Sequence, residues 1–308
     1  MNSMNTNIDL SIIIVSWNSQ EWIHRCLSSV FSQTSDLAIE VIVVDNASED
    51  KTVQWIMNTF PQVAVLANTT NRGFAAAVNR GMQAAKGKYV CWLNPDTEIQ
   101  DRALEQLVAL MEADETIGIA APQLHNADGS TQASVRRFPT WKDQSMIVLK
   151  LHALWPDAKA LSRYLARDFD YTRQQDVEQV MGACMVVRRA LVDLIGSLDN
   201  RFFIWFEEVD FCYRTKTQTS YRTVYVPSAH VLHSGGDSFD KVAPGKKQYW
   251  YRQSLRRYMR KHKFWGTTIL LWVLTPASFV MGLFVSLFSR TKRGKQAVSE
   301  HNQQIKRT

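Results

Sequence analysis

The sequence contains little cysteine: its 308 residues include four, and no two of them form a CxxC pair. This spacing argues against a zinc knuckle and against a disulfide scaffold. The N-terminal stretch MNSMNTNIDL lacks the charged and apolar regions of a secretory signal, so we expect a cytoplasmic protein. Phosphate-binding glycine motifs are also missing, because the first predicted strand-to-helix turn, VSWNSQEW, has no glycine and GxxxxGK followed by Ser or Thr does not occur. These absences argue against a Rossmann dehydrogenase and exclude a P-loop nucleotidase.

Charge is divided unevenly along the chain. From Lys241 to Thr308 there are 15 Lys/Arg and one acidic residue, whereas the first 240 residues carry a net charge of −7. A basic tail suits either nucleic acid or an anionic membrane surface. Residues 264–289 are uncharged and lie between two basic clusters, and a helix of that length can cross a hydrocarbon core of about 30 Å. Because nucleic-acid binding needs no such run, we predict a membrane anchor.

Short apolar runs alternate with helical stretches over the first 120 residues. Runs rich in Val and Ile lie at 10–15, 40–44, 63–67 and 88–93, with helical stretches at 21–33, 51–60 and 74–85 between them. Continuous apolar strands are typical of a parallel sheet that is covered on both faces. The pattern predicts an α/β domain with a mostly parallel open sheet and right-handed crossovers. Two later strands are predicted at 181–189 and 221–233.

Two of the predicted strands end in side chains that carry oxygen. Asp45 ends the second strand and is followed by Asn46 and Ser48, and Asn94 and Asp96 follow the fourth strand in CWLNPDTEI. Ligands bind beyond the carboxyl ends of strands in open α/β sheets, and oxygen ligands suit Mg²⁺ or Mn²⁺. Each cluster also has a purely structural interpretation, as a helix cap in the first case and as an Asn-Pro-Asp turn in the second.

An acidic cluster and a histidine pair lie further along the chain. Glu207, Glu208 and Asp210 follow an aromatic run in FFIWFEEVDFCYR, and His230 and His233 stand near a predicted strand end. A carboxylate in a partly apolar setting can have a raised pKa and act as a general base. The alternative is an exposed acidic helix start, because carboxylates are favourable near the N-terminal end of a helix.

In this order and spacing, these signals resemble the inverting family 2 glycosyltransferases with a GT-A fold, and the bacterial rhamnosyltransferase-like branch is the most similar. The resemblance covers most of residues 9–240. It rests on SIIIVSWN, DNASED, NRGFAAAVNRG, LNPDT, MGACMVVRR, FFIWFEEVDFCYR and HSGGDS. With the charge pattern, it implies a GT-A catalytic domain over 1–240, a basic aromatic bridging helix over 241–263, an apolar membrane-associating segment over 264–289 and a basic tail over 290–308.

The resemblance implies a role for each residue that matches. Glu208 would be the catalytic base, with Glu207 as its rival, and Asp96 and His233 would hold a divalent metal, Mg²⁺ or Mn²⁺, on the donor diphosphate. Arg136 or Arg137 suits a diphosphate contact because arginine binds phosphate bidentately, although a solvated loop is equally consistent. The other matching positions would bind substrate: Val15, Trp17, Asn18, Asp45, Asn46, Ser48, Asn71, Gly73, Phe74, Asn79, Asn94, Gly182, Ala183, Glu207 and Asp210.

Two positions depart from the family pattern. Asn94 replaces the first Asp of a strict DxD motif, so metal binding would rest mainly on Asp96. Glu208 stands where the family usually has Asp, which keeps the carboxylate but lets it reach further. The implied reaction is a single in-line displacement with inversion, moving a sugar from a nucleotide-diphosphate donor, suggested to be dTDP-rhamnose, to a lipid-linked or polysaccharide acceptor. UDP-sugars are alternative donors. The alternative function is a non-catalytic, membrane-tethered nucleotide-sugar binder or assembly scaffold. Nucleic acid is not an expected partner.

The apolar segment predicts a location on the cytoplasmic face of the inner membrane. Basic residues flank the segment on both sides, and the positive-inside rule favours both flanks in the cytoplasm, which one straight crossing cannot provide. Pro276 and Gly282 lie near its middle and can break a helix. A monotopic anchor is therefore the preferred interpretation, and a single crossing is the alternative.

Overall fold

A computed structural model of the chain describes residues 8–33, 36–235, 242–264 and 266. The strands, in chain order, are β1 (Leu10–Ser16), β2 (Ile39–Asp45), β3 (Ala64–Ala67), β4 (Tyr89–Leu93), β5 (Thr97–Gln100), β6 (Ile117–His125), β7 (Thr131–Gln132), β8 (Val135–Arg136), β9 (Gln175–Asp176), β10 (Gln179–Val180), β11 (Cys184–Arg188) and β12 (Arg222–His233). The α-helices are α1 (Gln20–Gln33), α2 (Thr52–Thr59), α3 (Phe74–Ala84), α4 (Ala103–Ala113), α5 (Trp141–Val148), α6 (Lys159–Tyr164), α7 (Arg189–Ile195), α8 (Glu207–Gln218) and α9 (Pro244–Lys261).

The main sheet has the order β3-β2-β1-β4-β11-β6-β12-β5, with β7 paired to β6 and β9 paired to β12. The pairs from β3 to β4 are parallel, and so is β6 with β12. Strand β11, however, runs antiparallel to both of its neighbours, and β5 runs antiparallel to β12. The sheet is therefore mixed, and the prediction of a mostly parallel sheet is wrong beyond β4. Strand direction depends on the path of the connecting chain, which apolar periodicity does not record.

Helices cover the sheet through apolar faces set by the 3.6-residue period. In α1 the buried residues Ile23, Cys26, Leu27 and Val30 recur at the spacing of one helical face. In α3, a Cβ on Gly81 would lie 2.6 Å from the Ile13 side chain, so this glycine lets the helix pack closely on β1. The residues of β1 and β4 are buried throughout, whereas those of β3 are exposed or partly buried.

The described residues form two compact units. The first takes in the described residues up to Phe138 and those from Phe169 to Tyr258, and it therefore continues past residue 240, where the sequence predicted the catalytic domain to end. The second takes in Pro139–Asp168 with the described residues from Met259 onward.

The predicted bridging helix is present as α9. None of the helices in the part of the chain that the structure describes is both long and apolar enough to cross a membrane. Residues 267–289 of the predicted apolar segment, and the basic tail at 290–308, lie outside the described residues.

Candidate active site

The carboxyl ends of β1 and β2 meet because the parallel register pairs Ser16 with Asp45. Asp45 is 2% exposed, and its Oδ1 accepts hydrogen bonds from the hydroxyls of Ser16 and Ser48, while its Oδ2 accepts from the Ser48 backbone N–H. The Asn18 N–H in turn donates to Ser48 Oγ (2.8 Å). The first two strand-to-helix turns are thereby joined into one polar shelf. Trp17, Asn18 and Ser48 remain partly exposed on it.

The turn before α3 connects this shelf to the far side of the site. Asn46 Nδ2 donates to the Gly73 carbonyl (3.2 Å), and Asn71 Oδ1 accepts from the Gly73 N–H (2.9 Å). Gly73 has a φ of 83°. A Cβ at this position would lie 2.3 Å from the Phe203 carbonyl oxygen, and that same oxygen accepts from the Phe74 N–H (2.8 Å). Only glycine fits both the backbone conformation and the close approach of the 203 segment.

Asp96 and His233 are brought together by the antiparallel ladder between β5 and β12, in which His233 pairs with Thr97. His233 Nε2 lies 3.5 Å from Asp96 Oδ1, and both side chains are 8% exposed. Gln132 Oε1 accepts from His233 Nδ1 (2.7 Å), while Gln132 Nε2 donates to Asn126 Oδ1 (2.9 Å). The amide orientation therefore makes Nδ1 a donor to Gln132 and leaves Nε2 facing Asp96.

The donor chemistry of this pair fits a divalent cation. A carboxylate oxygen and an imidazole nitrogen are both suitable ligands for Mn²⁺, and a carboxylate with diphosphate oxygens and water suits Mg²⁺. Within residues 8–33, 36–235, 242–264 and 266, no group of three or more His, Cys, Asp or Glu side chains is arranged to hold a metal ion. Substrate phosphates or water would therefore have to complete the coordination.

Glu207 and Glu208 open helix α8, yet they are not the exposed acidic cap that is typical of a helix start. Glu207 is 5% exposed, and Glu208 is partly exposed as a residue although its Oε2 is buried. Neither Oε2 has a hydrogen-bond partner among the described residues. Burial raises the pKa of Glu208 to about 7, and backbone N–H groups at the start of α8 only partly oppose it. Burial, and then the charge of Glu208, also raise the pKa of Glu207 well above its ordinary value.

The turn before β11 brings Glu208 near the Asn-Pro-Asp turn. A Cβ on Gly182 would lie 3.5 Å from the Glu208 Cβ, so this glycine lines the Glu208 side chain. The carbonyl of the next residue, Ala183, accepts from the Asn94 N–H (2.9 Å). Because β11 begins where the antiparallel β4 ends, one turn contacts both the base candidate and the turn that carries Asp96.

Several residues predicted to bind substrate are buried or hydrogen-bonded within the protein. Asp210 is fully buried and pairs with Arg214 (2.9 Å), which also donates to the carbonyls of residues 195–197. Ala183 belongs to the hydrophobic core, and the Val15 side chain is buried in β1. Asn79 Nδ2 donates to the Leu198 carbonyl (2.7 Å) and ties α3 to that loop. Side chains that are buried or hydrogen-bonded in this way hold the elements around the site in place.

Of the two arginines predicted as diphosphate contacts, Arg136 ends β8 and Arg137 follows it directly. Arg136 donates to the carbonyls of Ala133 and Val135, so its guanidinium is bound within its own loop. Arg137 is partly exposed, and its carbonyl accepts from Gln179 Nε2. Gln132, which orients His233, was not predicted, and its place in the turn-like stretch ADGSTQAS gives no signal of that role.

The mixed sheet, the polar shelf, the Asp-His pair and the buried carboxylate fit the GT-A glycosyltransferase fold that the sequence resemblance implies, and the comparisons with known proteins agree. The family model for glycosyl transferase family 2 matches residues 11–195. This chain belongs to glycosyl transferase family 2. A similar relative is the N-acetylglucosaminyl-diphospho-decaprenol L-rhamnosyltransferase of Mycobacterium tuberculosis, 26% identical over 86% of this chain and 89% of the relative.

Two solved structures share the fold. One is the mannosyltransferase PcManGT from Pyrobaculum calidifontis in complex with GDP-Man and Mn²⁺, with a TM-score of 0.55 and 17% identity over 92% of this chain and 76% of that one. The other is GalNAc-T7 with UDP, GalNAc and Mn²⁺, with a TM-score of 0.54 and 19% identity over 74% of this chain and 44% of that one. At these identities the likeness establishes the fold alone. The predicted family is confirmed, and the chain is a glycosyltransferase of glycan synthesis.

Proposed function

We propose that this chain is an inverting glycosyltransferase whose base is Glu208. The observation that carries this proposal is a buried carboxyl at the carboxyl-end edge of the sheet, with a pKa raised to about 7 by burial. A general base works best when its pKa lies near the operating pH. A single carboxylate in this role is sufficient for a direct displacement, since no covalent intermediate has to form.

The proposed donor is dTDP-rhamnose, and the proposed acceptor is a polyprenyl-diphosphate-linked sugar. Support comes from the mycobacterial relative, whose name describes rhamnosyl transfer to N-acetylglucosaminyl-diphospho-decaprenol and which this chain matches over 89% of its length. On the polar shelf, Trp17, Asn18 and Ser48 are exposed enough to contact the base and ribose. Arg137 would contact the diphosphate, because a guanidinium matches phosphate geometry.

Asp96 and His233 are the residues that would hold a divalent cation. Bound there, Mg²⁺ or Mn²⁺ would neutralise charge on the departing nucleoside diphosphate. The hydrogen bond from His233 Nδ1 to Gln132 would hold the ring so that Nε2 faces the site. Both structural neighbours were solved with Mn²⁺, which supports a divalent metal for this fold.

In the proposed reaction, Glu208 accepts the proton of an acceptor hydroxyl as its oxygen attacks the anomeric carbon. The bond from that carbon to the diphosphate oxygen breaks on the opposite face, and the electron pair leaves with the nucleoside diphosphate. The anomeric configuration therefore inverts. Burial of the Glu208 carboxyl keeps bulk water away from the proton acceptor, which favours transfer over hydrolysis.

The test is transfer by purified full-length protein with dTDP-rhamnose and N-acetylglucosaminyl-diphospho-polyprenol, with UDP-galactose and GDP-mannose as competing donors. We expect rhamnosyl transfer that EDTA abolishes and added Mn²⁺ or Mg²⁺ restores. Asp96→Ala should remove activity, whereas Asp193→Ala, an exposed aspartate on α7, should not. Donor binding without transfer to any acceptor would favour the non-catalytic binder. Full activity of Asp96→Ala in EDTA would contradict the metal assignment.

We also propose that the protein acts at the cytoplasmic face of the membrane, where a lipid-linked acceptor would be held. Helix α9 carries basic residues and leads towards the apolar segment at 264–289. Each basic residue near an anionic surface contributes about 1 kcal/mol to binding. Fractionation tests the proposal: full-length protein that stays in the soluble fraction at low salt without detergent would refute it.

A further inference from the structure

Helix α8 begins directly after a short aromatic segment, residues 203–206, whose last two members have left-handed backbone. Trp205 has a φ of 62° and Phe206 a φ of 70°. Residues other than glycine rarely adopt this conformation, and it persists where surrounding contacts hold it. Because Phe206 immediately precedes Glu207 and Glu208, the path of this segment determines where the Glu208 carboxyl points.

One side of the aromatic segment is held by α9. Ser254 is 2% exposed and donates from Oγ to the Ile204 carbonyl (2.8 Å). Trp250, Tyr251 and Tyr258 lie on the same face of α9 as Ser254, because these positions recur at helical spacing, and their rings also contact the aromatic segment. The ring-centroid distances are 4.7 Å for Phe203–Trp250, 6.1 Å for Trp205–Tyr251, 5.4 Å for Phe206–Tyr251 and 5.6 Å for Phe206–Tyr258.

The other side of the segment contacts the turn before α3. The Phe203 carbonyl accepts from the Phe74 N–H, and Gly73 leaves no space for a side chain between them. That turn belongs to the element that the family resemblance assigns to the nucleotide. The segment therefore lies between the donor side of the site and α9, with the base candidate at its end.

We propose that α9 is a positioning element for the reaction, and that Tyr251 and Ser254 are positioning residues that hold the aromatic segment and, through it, Glu208. Neither residue has to touch substrate, because each acts through backbone or rings of residues 204–206. The proposal rests on the proposed function, since it requires Glu208 to be the base. If α9 positions the base, removing these contacts should displace the Glu208 carboxyl and expose it to water. If α9 only stabilises the fold, the position and burial of Glu208 should not change.

The experiment compares Tyr251→Ala with Tyr249→Ala in the full-length protein. Tyr249 is 59% exposed on the same helix, so its variant is the matched control. We expect Tyr251→Ala to lower kcat by about 10- to 100-fold, because small displacements of a catalytic group have effects of this size. The donor KM should stay within about threefold. Ser254→Ala should lower kcat in the same way but by less, and Tyr251→Phe, which keeps the ring, should restore it.

The pH profile separates positioning from simple loss of stability. Released from the aromatic segment, Glu208 becomes hydrated, so the acid limb of kcat/KM should move to lower pH in Tyr251→Ala. A structural role alone would reduce the active fraction and Tm while leaving that limb in place. An unchanged acid limb, or equal kcat in the two alanine variants, would overturn the proposal.

A second readout does not depend on activity. In protein labelled with 5-fluorotryptophan, the Trp205 resonance, assigned with Trp205→Phe, should shift in Tyr251→Ala and stay in place in Tyr249→Ala. Absence of transfer by the unmodified protein would count against the proposed function. An unmoved Trp205 resonance in Tyr251→Ala would count against the positioning role itself.

Discussion

Replacing Glu208 with glutamine should produce a protein that is less active and more stable. The amide keeps the shape of the side chain but cannot accept the proton of the acceptor hydroxyl. We expect kcat to fall by about 10²- to 10⁴-fold, the usual effect of losing a general base. Donor affinity should change little, because Glu208 is assigned to the acceptor side of the site.

The gain in stability follows from the burial of the Glu208 carboxyl. Burial raises its pKa from the ordinary value of 4.5 to about 7, and a difference of that size corresponds to about 3 kcal/mol between the protonation states. The unfolded chain releases this proton near pH 4.5 and the native protein near 7, so native stability falls as pH rises between these values and then levels off. Because part of Glu208 is exposed, we expect Glu208→Gln to gain about 1–3 kcal/mol above pH 8 and nothing below pH 4.

The assays are transfer rates and thermal unfolding across pH 4 to 9. Unmodified protein should show a kcat/KM that rises with pH through a midpoint near 7, because the base works when deprotonated. Glu115→Gln, on the exposed surface after α4, is the control and should change neither activity nor Tm. Glu207→Gln should lose far less activity than Glu208→Gln, since burial raises the pKa of Glu207 and so disfavours the charged form that a base needs. Retention of most activity by Glu208→Gln, or an acid limb below pH 5, would refute the assignment.

Three further substitutions test the support of the site. Gln132→Leu removes the acceptor for His233 Nδ1, so the Mn²⁺ concentration giving half-maximal activity should rise by about 10- to 100-fold, as a metal titration would detect. Gly73→Ala places a Cβ against the Phe203 carbonyl at a positive φ, so it should lower Tm and raise the donor KM; an unchanged Tm would contradict the packing. Asp210→Asn leaves the buried Arg214 uncompensated and should cost about 3–5 kcal/mol of unfolding free energy, measured by denaturant titration.

The first half of the fold follows closely from the sequence, and the second half does not. The runs at 10–15 and 40–44 became β1 and β2 almost without change, because continuous apolar strands and amphipathic helices are local patterns. Strand β6, by contrast, matches no strand predicted from the sequence, and its partners β11 and β12 come from far along the chain. Long-range pairing and strand direction leave no periodic signal in a single sequence.

At the site, residue identity was easier to predict than residue environment. Asp96 and His233 were predicted as a pair and do lie together, since Asp96 directly precedes β5 and His233 ends β12 in the same ladder. No sequence pattern indicated Gln132 behind His233, because an orienting side chain needs only the right place in space. The turn at Gly182 also lines the Glu208 side chain, and it is adjacent to Glu208 in the fold but far from it in sequence.

Elementary helix geometry alone separates the carboxylates of the acidic cluster at Glu207, Glu208 and Asp210. Glu208 and Asp210 lie two residues apart in α8, and at 3.6 residues per turn their side chains diverge by about 200°. They therefore cannot point into the same site, and a substrate role for one argues against the same role for the other. Arg214 stands four residues after Asp210, the spacing of an ion pair on one helix face, and the structure contains that pair. Of the three carboxylates in this cluster, Glu208 is thus the base candidate and Glu207 is a second buried carboxyl beside it. Asp210 lies on the opposite face of α8, where its ion pair with Arg214 holds the helix in place.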